Sequence, residues 1–207
     1  MSKIVAFALL VVSVLFVSPV ASAKLTEQQA NSLYNKAQTG DKNAVGTLLA
    51  AAQSGDAFAQ NKIGNLARGY DNAAAIAWYR KSADQGYANA QYNMGLCYYN
   101  GFGTAINYAE AAAWYRKSVA QGYDKAQYNL GTMYKSGKGV PQDLAQALSL
   151  YRKAAEQGNR SAQSALGFHY LTGQGIEVNS ALGEAWIKKA AAQGEERALK
   201  YLANNNK

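Results

Sequence analysis

A 36-residue period runs through most of the chain. The segment Trp-Tyr-Arg-Lys-Ser at 78–82 recurs with small changes at 114–118, 150–154 and 186–190, each copy 36 residues after the last. Glycine keeps the same step at 86, 122, 158 and 194, and alanine keeps it at 90, 126, 162 and 198. Self-similarity at a fixed period of about 20–50 residues is typical of repeat architectures. We therefore expect a tandem array.

Each repeat carries the pattern of two helices separated by a Gly-x-Gly loop. In one repeat Ala90, Met94 and Tyr98 recur at i, i+4 and i+8, which predicts a first helix, helix A, over 89–99 with these side chains buried. Gly95 lies beside this stripe, where it would let a neighbouring backbone approach closely.

The second helix of the repeat, helix B, is predicted over 108–121, with Ala111, Trp114, Tyr115 and Ser118 on its buried side. Gly122 suits the left-handed conformation that follows a helix C-terminus. Asp124 and Asn159 are each predicted to N-cap the helix A that directly follows in the chain.

A single helix pair leaves its apolar stripe uncovered, so neighbouring repeats must stack, and about three are needed for stability. The sequence therefore predicts an all-α fold, an α/α solenoid that winds as a right-handed superhelix of helix-turn-helix repeats. About four repeats occupy 55–202, the first of them shortened by five residues. Helices within 24–54 are expected to cap the N-terminal end, the last helix is expected to cap the other end, and 203–207 would form a polar tail.

The first 23 residues have the pattern of an export signal. Lys3 precedes an apolar run from 4 to 17 that only Ser13 interrupts, and Ala-Ser-Ala then gives a small-x-small cleavage pattern. The run is shorter than the roughly 20 residues that cross a bilayer. We expect cleavage after Ala23, export to the periplasm or out of the cell, and no membrane span in the mature chain. Since the single cysteine, Cys97, lies far from the end of the run, a lipid anchor of the bacterial lipoprotein kind is not expected.

The chain is basic, with a net charge of +8, or +7 without Lys3, which favours anionic partners. Export makes nucleic acid the least favoured of these and leaves acidic proteins and envelope polymers. The single cysteine, Cys97, cannot supply the even set that disulfide-stabilised exported proteins use. We interpret it as a small buried apolar residue.

One stretch of the sequence resembles the Sel1-like repeat, a relative of the tetratricopeptide repeat with a longer turn. It comprises Ala-Gln-Tyr-Asn-Leu-Gly at 126–131, then Tyr134, Gly137, Gly139 and Asp143, followed by Tyr-Arg and Gln-Gly in helix B. The resemblance covers about 52–202. It implies a superhelix with a concave groove lined by A helices, and an adaptor that binds proteins, in bacteria often exported and sometimes concerned with host contact. A cysteine-rich branch of the family is associated with β-lactams, but this chain lacks its cysteines, so β-lactam binding or hydrolysis is the weakest alternative.

By analogy with the tetratricopeptide arrangement, the resemblance implies that A-helix side chains outside the buried stripe face the groove. Asn93 and Asn129 occupy positions where the related family holds the backbone of an extended peptide, and an amide can donate and accept at once. Tyrosine and phenylalanine would add flat contact area. The alternative is that these residues serve only packing. The predicted groove set is Asn89, Tyr92, Asn93, Leu96, Tyr99, Lys125, Tyr128, Asn129, Thr132, Lys135, Ser164 and Phe168.

A second candidate surface is a basic stripe, because helix B of every repeat carries two adjacent basic residues that stacking would align. Such a stripe suits an anionic envelope polymer such as peptidoglycan. The alternative is a solvated face that keeps an alanine-rich protein soluble and complements the helix C-termini. The stripe consists of Arg80, Lys81, Arg116, Lys117, Arg152, Lys153, Lys188 and Lys189.

The sequence is poor in the titratable groups that converge in an active site. His169 is the only histidine and Cys97 the only cysteine, so these residue types alone cannot form a metal site. Lys-Ser-Gly at 135–137 resembles one motif of penicillin-recognising enzymes, but no Ser-x-x-Lys accompanies it. We therefore expect no enzyme activity, no cofactor and no metal.

Overall fold

The computed structural model describes residues 24–205, which form eleven α-helices and no strand. The signal-peptide prediction for 1–23 and the last two residues of the predicted tail lie outside the described part. The chain divides into two compact units at residue 106. Unit 1 contains α1 (Glu27–Gln38), α2 (Lys42–Gln53), α3 (Ala57–Ala67), α4 (Asn72–Asp84) and α5 (Ala88–Asn100). Unit 2 contains α6 (Tyr108–Val119), α7 (Asp124–Ser136), α8 (Leu144–Glu156), α9 (Arg160–Thr172), α10 (Ser180–Ala192) and α11 (Glu196–Asn205).

Side-chain caps begin most of these helices. Thr26 and Gln29 form a reciprocal capping box at the start of α1, and Asn159 caps α9 as predicted, accepting from the Ala162 N–H. The prediction for Asp124 is wrong, because Tyr123 occupies that cap without a side-chain bond. Asp124 is instead the first helical residue. There its carboxylate complements the helix dipole and accepts from Asn159 Nδ2 at 2.8 Å.

The predicted buried positions of the helix pair are confirmed with one exception. Ala111, Trp114, Tyr115 and Ser118 of α6 are each at most 5% exposed, and Ala90 and Met94 of α5 are fully buried. Tyr98 is only half-buried. Its hydroxyl lies at the surface, where it accepts from Arg80 Nη2 at 2.7 Å.

A glycine in helix A makes room for an aromatic ring of helix B. A Cβ at Gly131 would lie 2.9 Å from Tyr151 Cε1, and one at Gly64 would lie 2.6 Å from Tyr79 Cδ1. Any side chain at these positions would force the tyrosine out of the core. The backbone approach predicted for Gly95 is found at these equivalents, where a Cβ would lie 3.2 Å from the carbonyl oxygen of Ala75 or Ala147, but the tyrosine ring approaches still more closely.

Paired glutamines join helix B to helix A of the same repeat. The glutamine that precedes the glycine after helix B donates to a buried glutamine, from Gln85 to Gln60 at 2.7 Å and from Gln157 to Gln127 at 2.8 Å. Gln60 in turn donates to the Ala52 carbonyl at 3.0 Å. Buried amides of this kind are satisfied by their neighbours, so the recurring Gln-Gly serves packing.

The terminal helices pack on the repeats beside them. Ala30 of α1 and Leu48 of α2 share a core with Ile63 of α3. At the other end, α11 buries Ala198 and continues to Asn205, three residues beyond the predicted end. None of the described helices has both the length and the apolar character that crossing a bilayer requires.

Candidate binding surface

Four asparagines of α3 and α5 form one hydrogen-bonded cluster in unit 1. The Asn93 amide donates to Asn61 Oδ1 at 2.8 Å and to Asn89 Oδ1 at 3.2 Å, and it lies 3.5 Å from Asn65 Oδ1. Tyr79 Oη donates to the same Asn65 oxygen at 2.8 Å. Asn93 is only 5% exposed. The Asn93 amide, which was predicted to bind a peptide, is therefore hydrogen-bonded to other asparagines inside the unit.

Two residues of this region stand out by their polarity and burial. Asn61 is 0% exposed, and its Nδ2 has no hydrogen-bond partner among the described residues. Lys62, the next residue, is 8% exposed, and its ammonium lies 5.1 Å from the centre of the Tyr34 ring. A buried N–H donor without an acceptor costs about 1–3 kcal/mol. Within the described residues, the Asn61 amide thus has an unused donor.

The equivalent asparagine of unit 2 is also used internally. Asn129 Nδ2 donates to Tyr115 Oη at 3.2 Å. Tyr128 packs against Tyr151, with ring centres 5.7 Å apart, and Tyr151 Oη donates to Thr132 at 3.2 Å. Packing therefore accounts for much of what Tyr128, Asn129 and Thr132 do in this unit.

The last part of unit 2 places aromatic and basic groups together. Phe168 meets Tyr201 edge-to-face at 5.6 Å, and the Arg197 guanidinium lies 3.8 Å from the centre of the Phe168 ring. Ser164 is 2% exposed, and its hydroxyl has no hydrogen-bond partner among the described residues. The contact of a cation with an aromatic face contributes about 0.5–1 kcal/mol at an exposed site.

The remaining predicted groove residues stay accessible to different degrees. Asn89, Tyr92, Leu96, Tyr99 and Lys135 are half-buried, and Lys125 is exposed. All of them lie on the A helices α5 and α7. Their role in binding stays a prediction.

The arginines of the basic stripe hold tyrosines of the following helix A. Each guanidinium donates to the hydroxyl of a tyrosine 18 residues further along the chain. The three links join Arg80 to Tyr98 at 2.7 Å, Arg116 to Tyr134 at 3.3 Å and Arg152 to Tyr170 at 3.2 Å.

The lysines of the stripe mostly lie over the tryptophan one turn earlier. The ammonium-to-ring distances are 4.5 Å for Lys81 over Trp78, 3.9 Å for Lys117 over Trp114 and 4.4 Å for Lys189 over Trp186. Lys188 instead lies 3.6 Å from Glu184 in an exposed i,i+4 pair. The stripe is therefore exposed, but most of its members have structural contacts, and its role in binding stays a prediction.

Burial favours the neutral forms of Cys97 and Tyr151. Desolvation raises the pKa of the Cys97 thiol to about 11 and the pKa of the Tyr151 hydroxyl to about 12. Cys97 is 2% exposed, as its interpretation as a buried apolar residue predicts. Among residues 24–205 no group of three or more His, Cys, Asp and Glu side chains could hold a metal ion.

His169 is buried in unit 2 and faces Tyr151, with ring centres 6.0 Å apart. Its Nδ1 lies 2.7 Å from the Gln174 carbonyl, so Nδ1 is the nitrogen that carries the proton. Desolvation lowers the pKa of His169. The bond to Gln174 opposes this change, and the charges of Lys135 and Arg197 reinforce it.

The free energy of unfolding is therefore expected to decrease as the pH is lowered, because the fold keeps His169 neutral. In the unfolded chain His169 takes up a proton near its ordinary pKa of about 6.5, while in the fold it stays neutral. The unfolded state then binds more protons, so the contribution is complete above pH 6.5 and is lost as the pH falls through the lower folded pKa. Urea unfolding at pH 7.5, 6.5 and 5.5 should show a steeper loss of unfolding free energy for the parent than for His169→Met. Methionine is the residue at the equivalent position of the preceding repeat, Met133. Parallel curves would contradict this assignment.

Comparison with known proteins places the two helices of each repeat in a known family. The Sel1 repeat matches this chain four times in succession, at 57–87, 88–123, 124–159 and 160–195. The chain belongs to the Sel1 repeat family. The first match spans 31 residues and each of the others spans 36. The predicted all-α class of tandem helix pairs is confirmed.

Solved structures of Sel1 repeat proteins resemble this chain over most of its length. A Sel1 repeat protein from Oxalobacter formigenes superposes with a TM-score of 0.77 at 31% identity, covering 88% of this chain and 77% of the other. A protective antigen present in uropathogenic Escherichia coli strains, which displays the same fold, superposes with a TM-score of 0.71 at 31% identity, covering 86% of this chain and 41% of the antigen.

A rat protein, DAP3-binding cell death enhancer 1, is 42% identical over 65 residues. The match covers 30% of this chain and 13% of the rat protein. Sel1 repeats are typically scaffolds for protein–protein interactions.

The Sel1 repeat boundaries also reveal residues that the sequence analysis missed. Aligning 57 with 88 sets Asn61 opposite Tyr92, Lys62 opposite Asn93, and Asn65 opposite Leu96. The residues of the first repeat that are equivalent to predicted groove residues are therefore polar. An offset of 31 residues, in place of 36, would have found them from the sequence.

Proposed function

We propose that this Sel1 repeat protein is an exported adaptor whose A helices hold a polypeptide segment of a partner protein. The observation that carries the proposal is the A-helix surface of α5, where polar and aromatic side chains, Asn89, Tyr92 and Tyr99, stay partly accessible. The family to which the chain belongs typically serves as a scaffold for protein–protein interactions. An amide side chain can donate to a backbone carbonyl and accept from a backbone N–H. Such a surface would therefore bind the main chain of a segment largely independently of its sequence.

Accessible side chains on the same helices would supply the rest of the contact area. Tyr92 and Tyr99 in unit 1 are half-buried aromatics, and partly exposed tyrosines are favoured at interfaces because they combine apolar area with a polar end. Lys125 and Lys135 add positive charge to α7 of unit 2. This charge favours acidic partners, as does the basic balance of the whole chain.

The basic stripe is less suited to carry the function, because its arginines are tied to tyrosines and its lysines lie on tryptophans. An envelope polymer held there would have to compete with these contacts. Export is proposed from the pattern of the first 23 residues, with Lys24 as the first residue of the mature chain.

Charge reversal on the A helices is expected to abolish partner binding. The chain 24–207 is used to capture proteins from envelope extracts, beside Lys125→Glu/Lys135→Glu and the control Lys153→Glu/Lys188→Glu. The control makes the same change in net charge on helix B of the same unit. We expect the A-helix variant to recover at least about tenfold less partner, and the control to recover as much as the parent.

The opposite result would favour the stripe. If the helix B variant loses the captured material, the A-helix variant keeps it and salt releases it, an anionic polymer on the stripe explains the protein better. Circular dichroism of all three chains checks that helicity is unchanged.

A further inference from the structure

The outer face of the last helix, α11, is apolar at two positions where each repeat receives its helix B. α11 follows the fourth repeat as a further helix A, and no helix B follows it among the described residues. Leu199 and Ala203 of α11 occupy the positions that hold a glutamine and a glycine in helix A of all four repeats. The glutamines are at 60, 91, 127 and 163, and the glycines are at 64, 95, 131 and 167.

In the fourth repeat, helix B covers these two positions. Gln163 accepts from Gln193, the C-cap of α10, at 2.8 Å, and a Cβ at Gly167 would lie 2.9 Å from Ile187 of α10. On α11 the same face is uncovered, because Leu199 is 48% exposed and Ala203 is exposed too. The side of α11 that would receive a helix therefore presents apolar groups to solvent.

The two terminal helices differ in this respect. Repeat arrays generally need terminal units with a polar outer face to stay soluble. The first helix, α1, meets this need, because its exposed residues are all Glu, Gln, Asn, Ser or Lys. The polar face of α1 is thus a poor match for the apolar face of α11. A second α11 is a better match, since it is apolar at the same positions.

Two charged residues flank the apolar pair on the same side of α11. Glu196 and Lys200 lie three residues before and one residue after Leu199, and both are exposed. Among residues 24–205 neither of them forms an ion pair. If two α11 helices cross antiparallel at Leu199, a rise of about 1.5 Å per residue leaves Glu196 of one and Lys200 of the other only about 3 Å apart along the axis. The antiparallel arrangement is therefore complementary in charge.

We infer that two copies of this chain associate through α11, antiparallel about a two-fold axis at Leu199. In such a contact the same residues meet from both sides, so Leu199 packs on its counterpart and two Glu196–Lys200 pairs form between the copies. A helix of ten residues buries less than the roughly 1,200 Å² of a stable interface. The dimer is therefore weak, with a Kd on the order of 100 µM.

The inference goes beyond the proposed function, because it concerns α11 and not the surfaces of α5 and α7. A dimer carries two copies of those surfaces. On the proposed function, a partner with two binding segments would be held more tightly by the pair than by a single copy.

Sedimentation equilibrium of the chain 24–207, from about 10 µM to about 1 mM, measures the association. We expect a monomer–dimer equilibrium. Leu199→Gln installs the residue that all four repeats carry at this position, and it should weaken the dimer at least about tenfold. The control Leu182→Gln makes the same change on α10, at a leucine that is 38% exposed and whose equivalent on α8 is Gln146. It should leave the dimer unchanged.

Charge reversal tests the antiparallel arrangement. Glu196→Lys and Lys200→Glu should each weaken the dimer, because each sets like charges together. The double variant makes the charges opposite again and should recover most of the affinity. Far-UV circular dichroism confirms that each variant is folded.

Four results would overturn the inference. They are a chain that stays monomeric throughout, a dimer that Leu199→Gln leaves unchanged, a double charge variant as weak as the single ones, and oligomers larger than a dimer, which head-to-tail stacking would give.

Discussion

Replacement of Gly139 by alanine is expected to lower the free energy of unfolding by about 2–5 kcal/mol. Gly139 has φ +69°, and a Cβ there would lie 2.3 Å from the Tyr108 carbonyl carbon and 2.4 Å from its oxygen. The left-handed conformation alone costs an L-residue about 1–2 kcal/mol. The overlap with backbone adds a further 1–3 kcal/mol or so, since no rotamer change relieves it.

Gly158→Ala is the matched control for this effect. Gly158 also has positive φ, +94°, but a Cβ there would have no atom within 4 Å. The expected loss is therefore only the conformational cost of about 1–2 kcal/mol. Urea unfolding of both variants and the parent measures the difference. Equal losses would show that the loop does not pack on the start of α6 as described.

Tyr79→Ala is expected to destabilise the protein by about 3–5 kcal/mol, as for other large core truncations. Tyr79 is 1% exposed, packs over Gly64 and donates to Asn65 at 2.8 Å. Tyr79→Phe removes only the hydrogen bond and should cost about 0.5–1.5 kcal/mol. Tyr70→Ala, at a residue that is 56% exposed, should change stability by less than about 0.5 kcal/mol.

A double-mutant cycle with Gly64 tests the contact itself. Gly64→Ala should destabilise the parent, because the new Cβ would lie 2.6 Å from Tyr79 Cδ1 and Cε1. In the Tyr79→Ala background the same change should be tolerated, since the ring has gone and alanine favours the helix by about 1 kcal/mol over glycine. The same penalty in both backgrounds would mean that the ring does not pack against this glycine.

The repeat, the helices and the buried stripe were predictable because the sequence repeats every 36 residues and places its apolar residues at helical spacing. The burial of Ala111, Trp114 and Tyr115 follows from a helical spacing that one repeat shows and the others reproduce. The equivalents of Tyr115 in the other repeats, Tyr79, Tyr151 and Ile187, are buried as well, whereas the tryptophans equivalent to Trp114, at 78 and 186, are only half-buried. The loss of five residues from the first repeat was also visible as a change in the glycine spacing.

The hydrogen-bond partners were not predictable in the same way. Asn93 and Asn129 occupy equivalent positions, yet the first binds other asparagines and the second binds Tyr115. The choice depends on which donor or acceptor the neighbouring helix presents, and the neighbours differ between repeats. The prediction that Asp124 is an N-cap was wrong by one residue, because the helix begins at Asp124 itself. A shift of this size lies within the usual variation of helix boundaries.

The candidate site was only partly accessible to sequence reasoning. The sequence analysis selected polar and aromatic side chains of the A helices, and their role in binding stays a prediction. The first repeat was left out because its shorter loop shifts the alignment by five residues. Lys62 and Asn61 therefore escaped notice. Their significance comes from burial, which a sequence pattern of polar residues cannot reveal.

Site-specific photocrosslinking tests the central claim most directly, that a polypeptide partner lies on the A helices. A photoreactive amino acid is introduced at Leu96 on α5 or Lys135 on α7, and at the exposed Ala77 on α4 or Ser149 on α8 as controls. After illumination in envelope extracts, the account predicts that one protein is crosslinked from the two A-helix positions and not from the helix B positions. Crosslinks from helix B alone would contradict it.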